Sequence, residues 1–458
     1  MHKKLATILF LCLILPWANA TSCLADIEDA AYNKRDEFIE KYTTLTKQIL
    51  LVRIELETFN LNYRLNTYKQ PKFRTLRSFV AQEAAAGAVL AFDCAGDDQY
   101  AKGIRNPRSI NTKPLQGGLM ATMIGASVAG ADSGLELGSN AWLCLKNRRK
   151  GLDQHSATSF IQAKLKTINA LLAQREALIA ARPEHPIYAR AVLEGKILRH
   201  LNRASLNEYS QFSSDARGQS VFTNSFYLLN VVTNALVATG AGYAYRSVKE
   251  PKFSGTGDIL FIVAGGVGAV TPWLSRYLAN KATQANERKL GRLLGQNKDA
   301  DLAELAALRQ QLSESVAIKE LIPSLPVTER LILYREANEN FRTQLFSETA
   351  VTRRLEKVAL EQSLLAPVIG GTLMTQGILY TAGYYRFHTQ PKKQLSLTYA
   401  GTVAGTTGAA LNVLATAASL LANRAYEHRL QREGRSPAQL IEVQLKHLDE
   451  VKAMVQGL

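Results

Sequence analysis

Between Phe38 and Tyr63 the apolar residues recur at alternating steps of four and three: Phe38, Tyr42, Leu45, Ile49, Val52, Leu56, Phe59 and Tyr63. Only a helix places that spacing on one seam, and so narrow a stripe is of the kind used by coiled coils and long helical hairpins. Ile161, Leu165, Ile168, Leu172 and Ile179 repeat the pattern, with Arg175 in the one polar slot. The prolines of "RPEHP" (182–186) end that helix, and a second is expected from near Ile187 to about Ser213. Segment 283–361 repeats the plan, with Leu302, Leu305, Leu308 and Leu312 in phase before a break at "IPSLP" (322–326). In the tail, Ile441, Leu445, Leu448 and Val455 mark another amphipathic helix. No stretch alternates as a strand would, so the fold class expected is all-α.

Between these charged helices lie long runs with no Asp, Glu, Lys or Arg: 218–245, 259–275, 362–385 and 394–423, of 28, 17, 24 and 30 residues. About 20 predominantly apolar residues span the hydrocarbon of a bilayer as a helix. A soluble bundle with central Ala/Gly-rich helices is the competing reading, but helices of that kind normally keep a polar face. Small residues at four-residue steps let helix backbones approach in lipid; they occur at Gly401 and Gly405, at Ala264 and Gly268, and at Gly118, Thr122, Ala126 and Gly130.

The paired runs are joined by short basic turns, "YRSVKEPKF" (245–253) and "YRFHTQPKK" (385–393). Pro251 and Pro391 stand 140 residues apart, and Pro114 in "RSINTKP" stands 137 before Pro251. This predicts three pseudo-repeated units, each a charge-poor Gly/Ala-rich helical hairpin flanked by long amphipathic, coiled-coil-like helices. Short loops rich in Lys and Arg stay cytoplasmic, which sends the charged helices to the other side.

The N-terminus "MHKKLATILFLCLILPWANA" has a basic start, an apolar stretch and a small-x-small ending, the layout of a signal peptide cut after Ala20. A competing reading makes Cys23 a lipid-bearing first residue. The expected organisation is a signal peptide (1–20), a periplasmic helix (21–76), hairpin 1 (77–146), a periplasmic helical pair (147–217), transmembrane hairpin 2 (218–281), a second periplasmic pair (282–361), transmembrane hairpin 3 (362–424) and a periplasmic C-terminal helix (425–458). Hairpin 1 is the doubtful span, because Glu83, Asp93, Asp132 and Glu136 interrupt its arms. Acids in apolar arms mark an ion or proton path, or arms outside the lipid, or an acid held by neighbours such as Arg74 or Arg77.

Composition sharpens this picture only in part. The chain has 458 residues with 55 basic and 39 acidic; without the signal, 53 basic residues remain. Such an excess suits anionic surfaces, and export makes lipid headgroups, not nucleic acid, the expected partner. Catalytic patterns are absent. The histidines are scattered singly, "AGGVGAV" (264–270) lacks a phosphate loop's Lys-Ser/Thr ending, and "GASVAG" (125–130) is no nucleophile elbow. Cys23, Cys94 and Cys144 fall at no metal or redox spacing.

The sequence thus predicts no catalytic, cofactor-binding or metal site. It predicts a non-enzymatic inner-membrane scaffold or assembly factor of the bacterial envelope, acting on protein partners or on itself through its helices, with no small-molecule substrate evident. A pore or transport component using the acids of hairpin 1, and a soluble exported coiled-coil binding protein, are the alternatives.

Overall fold

The computed structural model describes residues 37–67, 72–294 except 186, residue 307, and 364–456 except 435. Among these residues the secondary structure is helical, with no strand. The signal segment, Cys23 and most of the expected helical pair in 283–361, from residue 295 onward except 307, lie outside the described residues. The helices are α1 (37–67), α2 (Lys72–Arg105), α3 (Thr112–Arg149), α4 (Gln154–Ala180), α5 (Tyr188–Ser247), α6 (Ser254–Leu294), α7 (Leu364–Arg386), α8 (Pro391–Arg432) and α9 (Pro437–Gln456).

Two packed regions share the long helices. In the first, the seam of α1 meets α4, the first half of α5 and α9 around Ile49, Leu56, Ile161, Ile168, Ile197, Leu198, Tyr209 and Val455, all buried. Leu290, near the end of α6, joins this core. The seam residues Phe38 and Tyr42 extend it in a smaller cluster with Ile179, Ile187 and Ala191.

The second region is built from three helical hairpins, α2–α3, α5–α6 and α7–α8. Their tips are shaped by local chemistry. Asn106 and Asn111 accept from the backbone N–H of Arg108 and Lys113, and Pro251 opens a 3-10 turn just before α6. Pro391 is the first residue of α8, where its missing N–H costs nothing. Each arm has a neighbour in another hairpin. Gly130 of α3 packs against Asn234 of α5, Gly265 of α6 against Gly370 of α7, and Gly96 of α2 against Thr402 of α8. The six arms therefore form a closed circuit of neighbours, first hairpin to second, second to third, third to first.

The small-residue stripes sit at these contacts. A Cβ at Gly118 would stand 2.7 Å from Phe92 Cα of α2, and Thr122 Oγ1 reaches Ala88 O of the same helix. Ala264 is fully buried, and Gly401 and Gly405 of α8 face α7.

One expectation is revised. The helix beginning near Ile187 does not stop near Ser213 but continues to Ser247 as 60 unbroken residues. The change in composition at 217/218 marks a change of surroundings, not a break in the backbone. Nothing there stops a helix, since Gly218 is a lone glycine pressed against Thr283 of α6 and no proline follows.

Among the described residues, five helices are long and apolar enough to cross a membrane: α2, α5, α6, α7 and α8. Large apolar side chains face outward on every arm of the second region, among them Val80, Ile124, Leu228, Val263, Val368 and Leu414.

Candidate functional site

The four acids singled out in hairpin 1 separate into three environments. Asp132 and Glu136, one turn apart on α3, are buried and meet arginines of α2. Arg77 Nε donates to Asp132 Oδ1 at 2.8 Å and Arg74 Nε to Glu136 Oε2 at 2.9 Å, while Arg77 also bonds Glu136. Arg74 reaches Asn140 Oδ1, and Asn140 in turn donates to Asn224 of α5. With a rise of about 1.5 Å per residue, Arg77 stands about 42 Å of helix from the tip residue Arg105. That exceeds a hydrocarbon thickness of about 30 Å, so these ion pairs lie at the far end of the arms from the basic tip.

Glu83 is half-buried beside Thr416 of α8. Asp93 is different: it has no exposed surface. Gln376 Nε2 of α7 donates to its Oδ1 at 2.5 Å, and the same amide group donates to Tyr380 Oη at 3.1 Å. Asp93 Oδ2 has no hydrogen-bond partner, and neither has Oδ2 of the buried Asp258 on α6. Tyr100 and Tyr380 interact electrostatically with both carboxyls. One turn beyond Asp93, Asp97 accepts from Thr406 Oγ1 of α8 at 2.7 Å. The arms of all three hairpins thus converge on Asp93, Asp258, Gln376 and the two tyrosines.

A second polar centre lies in the first packed region. Arg175, the polar residue of the α4 seam, is fully buried; it donates to Thr46 Oγ1 at 3.1 Å, Ala191 O at 3.1 Å, Tyr42 Oη at 2.8 Å and Glu194 Oε2 at 2.6 Å. Its guanidinium also stacks 4.6 Å from the Tyr42 ring. Arg64 forms a similar pair with Glu208 at 2.5 Å. Each of these centres joins two or more helices.

Sequence reasoning singled out Asp93, Asp132 and Glu136 but missed Asp258, which ends a charged flank and reads as loop. It also missed the role of Gln376, which stands out only as a polar residue within an apolar run. Among the described residues no three His, Cys, Asp or Glu side chains gather as metal ligands, and Cys94 and Cys144 are separate exposed thiols. Comparison with known protein families, characterised proteins and solved structures finds no match to this chain.

Proposed function

We propose that this protein is a non-enzymatic scaffold or assembly factor held in the bacterial inner membrane by three helical hairpins, with its charged helices in the periplasm. The observation that carries this reading is α5. Its first half contributes Ile197, Leu198 and Tyr209 to the outer core, and its second half contributes Val237 and Ala241 to the hairpin core. At about 1.5 Å per residue it is a strut of about 90 Å joining the two regions without a linker.

Membrane embedding extends to hairpin 1 in this reading. Met120, Ile124 and Val128 project outward from α3 at four-residue steps, an apolar stripe that water does not favour and lipid does. The acids of that arm are buried against arginines, so they do not oppose embedding. The three hairpins then form three related units, with tips of Lys102, Arg105, Arg108 and Lys113, of Arg246, Lys249 and Lys252, and of Arg386, Lys392 and Lys393 facing the cytoplasm and its anionic lipid. The periplasmic helices offer surfaces for partner helices or for a second copy.

Alkaline carbonate washing of membranes tests the anchoring: the protein stays in the pellet, and full release would return it to the soluble reading. With Cys23, Cys94 and Cys144 changed to Ser, single cysteines at Ser247 and Thr389 resist an impermeant thiol reagent in spheroplasts, while one at the exposed Glu184 reacts. Labelling at both tips would reverse the orientation. Photo-crosslinkers at the exposed Val443 and Met454 of α9 recover a distinct partner for a scaffold. A ring-sized ladder of the protein alone would favour a pore.

A further inference from the structure

We infer that Asp93 and Gln376 form an internal proton-binding site, in which Asp93 is a neutral carboxylic acid joined to the Gln376 amide by two hydrogen bonds in a ring. The first bond is present as Gln376 Nε2 to Asp93 Oδ1 at 2.5 Å. The second is indicated by the two atoms left over. Asp93 Oδ2 is fully buried and has no partner, and a methyl at Gly405 would stand 2.6 Å from it and 2.5 Å from Gln376 Oε1. Both oxygens therefore crowd one glycine of α8. Two bare acceptor oxygens side by side repel; a proton on Oδ2 turns them into a donor and an acceptor.

The surroundings favour the same species. The ionisable groups that interact with Asp93 are Asp97 and Tyr100 of its own helix and Tyr380 of α7, and the two tyrosines also interact with Asp258 of α6. On α8 the neighbours are Gly405 and the hydroxyls of Thr402 and Thr406, and α3 presents Gly118 against Phe92. None of these groups is cationic. A bare carboxylate here would have neither water nor a counter-ion, a cost that an ionisable group in this setting avoids by binding a proton.

The position of the acids along their helices gives the proton a direction of entry. Counting about 1.5 Å per residue from the tip end of each arm, Asp258 lies about 6 Å deep, Tyr100 and Tyr380 about 8–9 Å, and Asp93 about 18 Å. The unpartnered Asp258 oxygen and two phenols thus lie between the basic tips and Asp93. A hydronium ion on the tip side gives up a proton: its O–H bond breaks, water is left behind, and one new O–H bond forms at Asp93 Oδ2.

Infrared spectra and thermal melts of the purified full-length protein test this. Asparagine reproduces the neutral acid: its carbonyl accepts from Gln376 and its amide donates back. Asp93→Asn is expected to melt within about 1 °C of wild type near neutral pH, while Asp93→Ala melts several degrees lower. The wild-type spectrum contains a carboxylic acid carbonyl band near neutral pH that is lost in Asp93→Asn and survives in Asp97→Asn and in Asp258→Asn. If Asp93→Asn does not fold, a shift of the band in Gln376→Leu, which among these acids removes the hydrogen-bond partner of Asp93 alone, assigns it to Asp93, and an unshifted band would overturn the assignment. A wild-type spectrum with carboxylate bands alone would overturn the proposal, as would a band that disappears only with Asp97 or Asp258. An Asp93→Asn protein that folds yet melts as low as Asp93→Ala would do the same.

Discussion

Arg175 Nη2 and Glu194 Oε2 stand 2.6 Å apart on neighbouring helices, with the two side chains 0% and 4% exposed. Tyr42 closes the group by bonding both partners, so the charges are satisfied by protein alone. Removing Glu194 leaves the guanidinium buried without its counter-charge. Glu194→Ala is therefore expected to cost about 3–5 kcal/mol in the outer region, read as a fall in the denaturation midpoint. Replacing both residues with apolar side chains of similar volume is expected to cost less than the single change. A loss below about 1 kcal/mol for Glu194→Ala would mean that water reaches the pair.

The acids of hairpin 1 respond unequally. Glu136 is buried and held by both Arg74 and Arg77, so Glu136→Ala leaves two cations competing for Asp132. A loss of about 2–4 kcal/mol in detergent is expected, with no gain in vesicle permeability. Glu83 lies half-buried beside a threonine, and Glu83→Ala is expected to stay within about 1 kcal/mol of wild type. Proton leak through wild-type vesicles that vanishes in Glu83→Ala would replace the scaffold by a channel.

Gly370 and Gly371 are adjacent, yet only one is pressed against another helix. A methyl at Gly370 would stand 2.6 Å from Ala269 N and Gly265 O of α6, whereas nothing lies within 4 Å of one at Gly371. Gly370→Ala pushes two backbones apart and is expected to cost about 1–3 kcal/mol. Gly371→Ala is expected to be neutral or to stabilise by up to about 1 kcal/mol, because alanine favours the helix. Paired melting curves in one detergent separate the two, and equal effects would contradict the close α6–α7 contact.

Alkali has a defined target in the outer region. Burial pushes the Tyr63 phenol up to about 12, and Tyr209, its ring 5.9 Å away, adds to the rise. The unfolded chain ionises this group near pH 10, so the folded state holds its proton longer. The stability linked to it is fully present below about pH 10 and is lost as pH rises toward about 12. Tyr63→Phe is expected to flatten that part of the stability profile. Spectrophotometric titration that finds every tyrosine ionising near pH 10 in the folded protein would contradict this.

Much of the fold is legible in the sequence because local periodicity determines it. Phe38, Tyr42, Ile49, Leu56 and Tyr63 lie buried on the seam that their spacing draws. Long-range partners are another matter. Arg175 stands out as the polar intruder in a seam, but its partner Glu194 lies beyond a proline break, in a helix whose rotation the pattern leaves open. Asp93 stands out as an acid in an apolar arm, while Gln376 is 283 residues away and differs little from other polar residues in its run. The length of α5 is hidden for a different reason: a helix passing between two environments changes its side chains and keeps its backbone.

The closed circuit of hairpins has a consequence for synthesis. The pairing of α2 with α8 unites the first hairpin made with the last, so a chain emerging from the ribosome holds Asp93 without an amide partner until most of the protein exists. The unfinished molecule therefore carries an unsatisfied acid that the finished one conceals. Closure of the circuit by the third hairpin and burial of Asp93 are thus one event, completed only when residue 376 has been made.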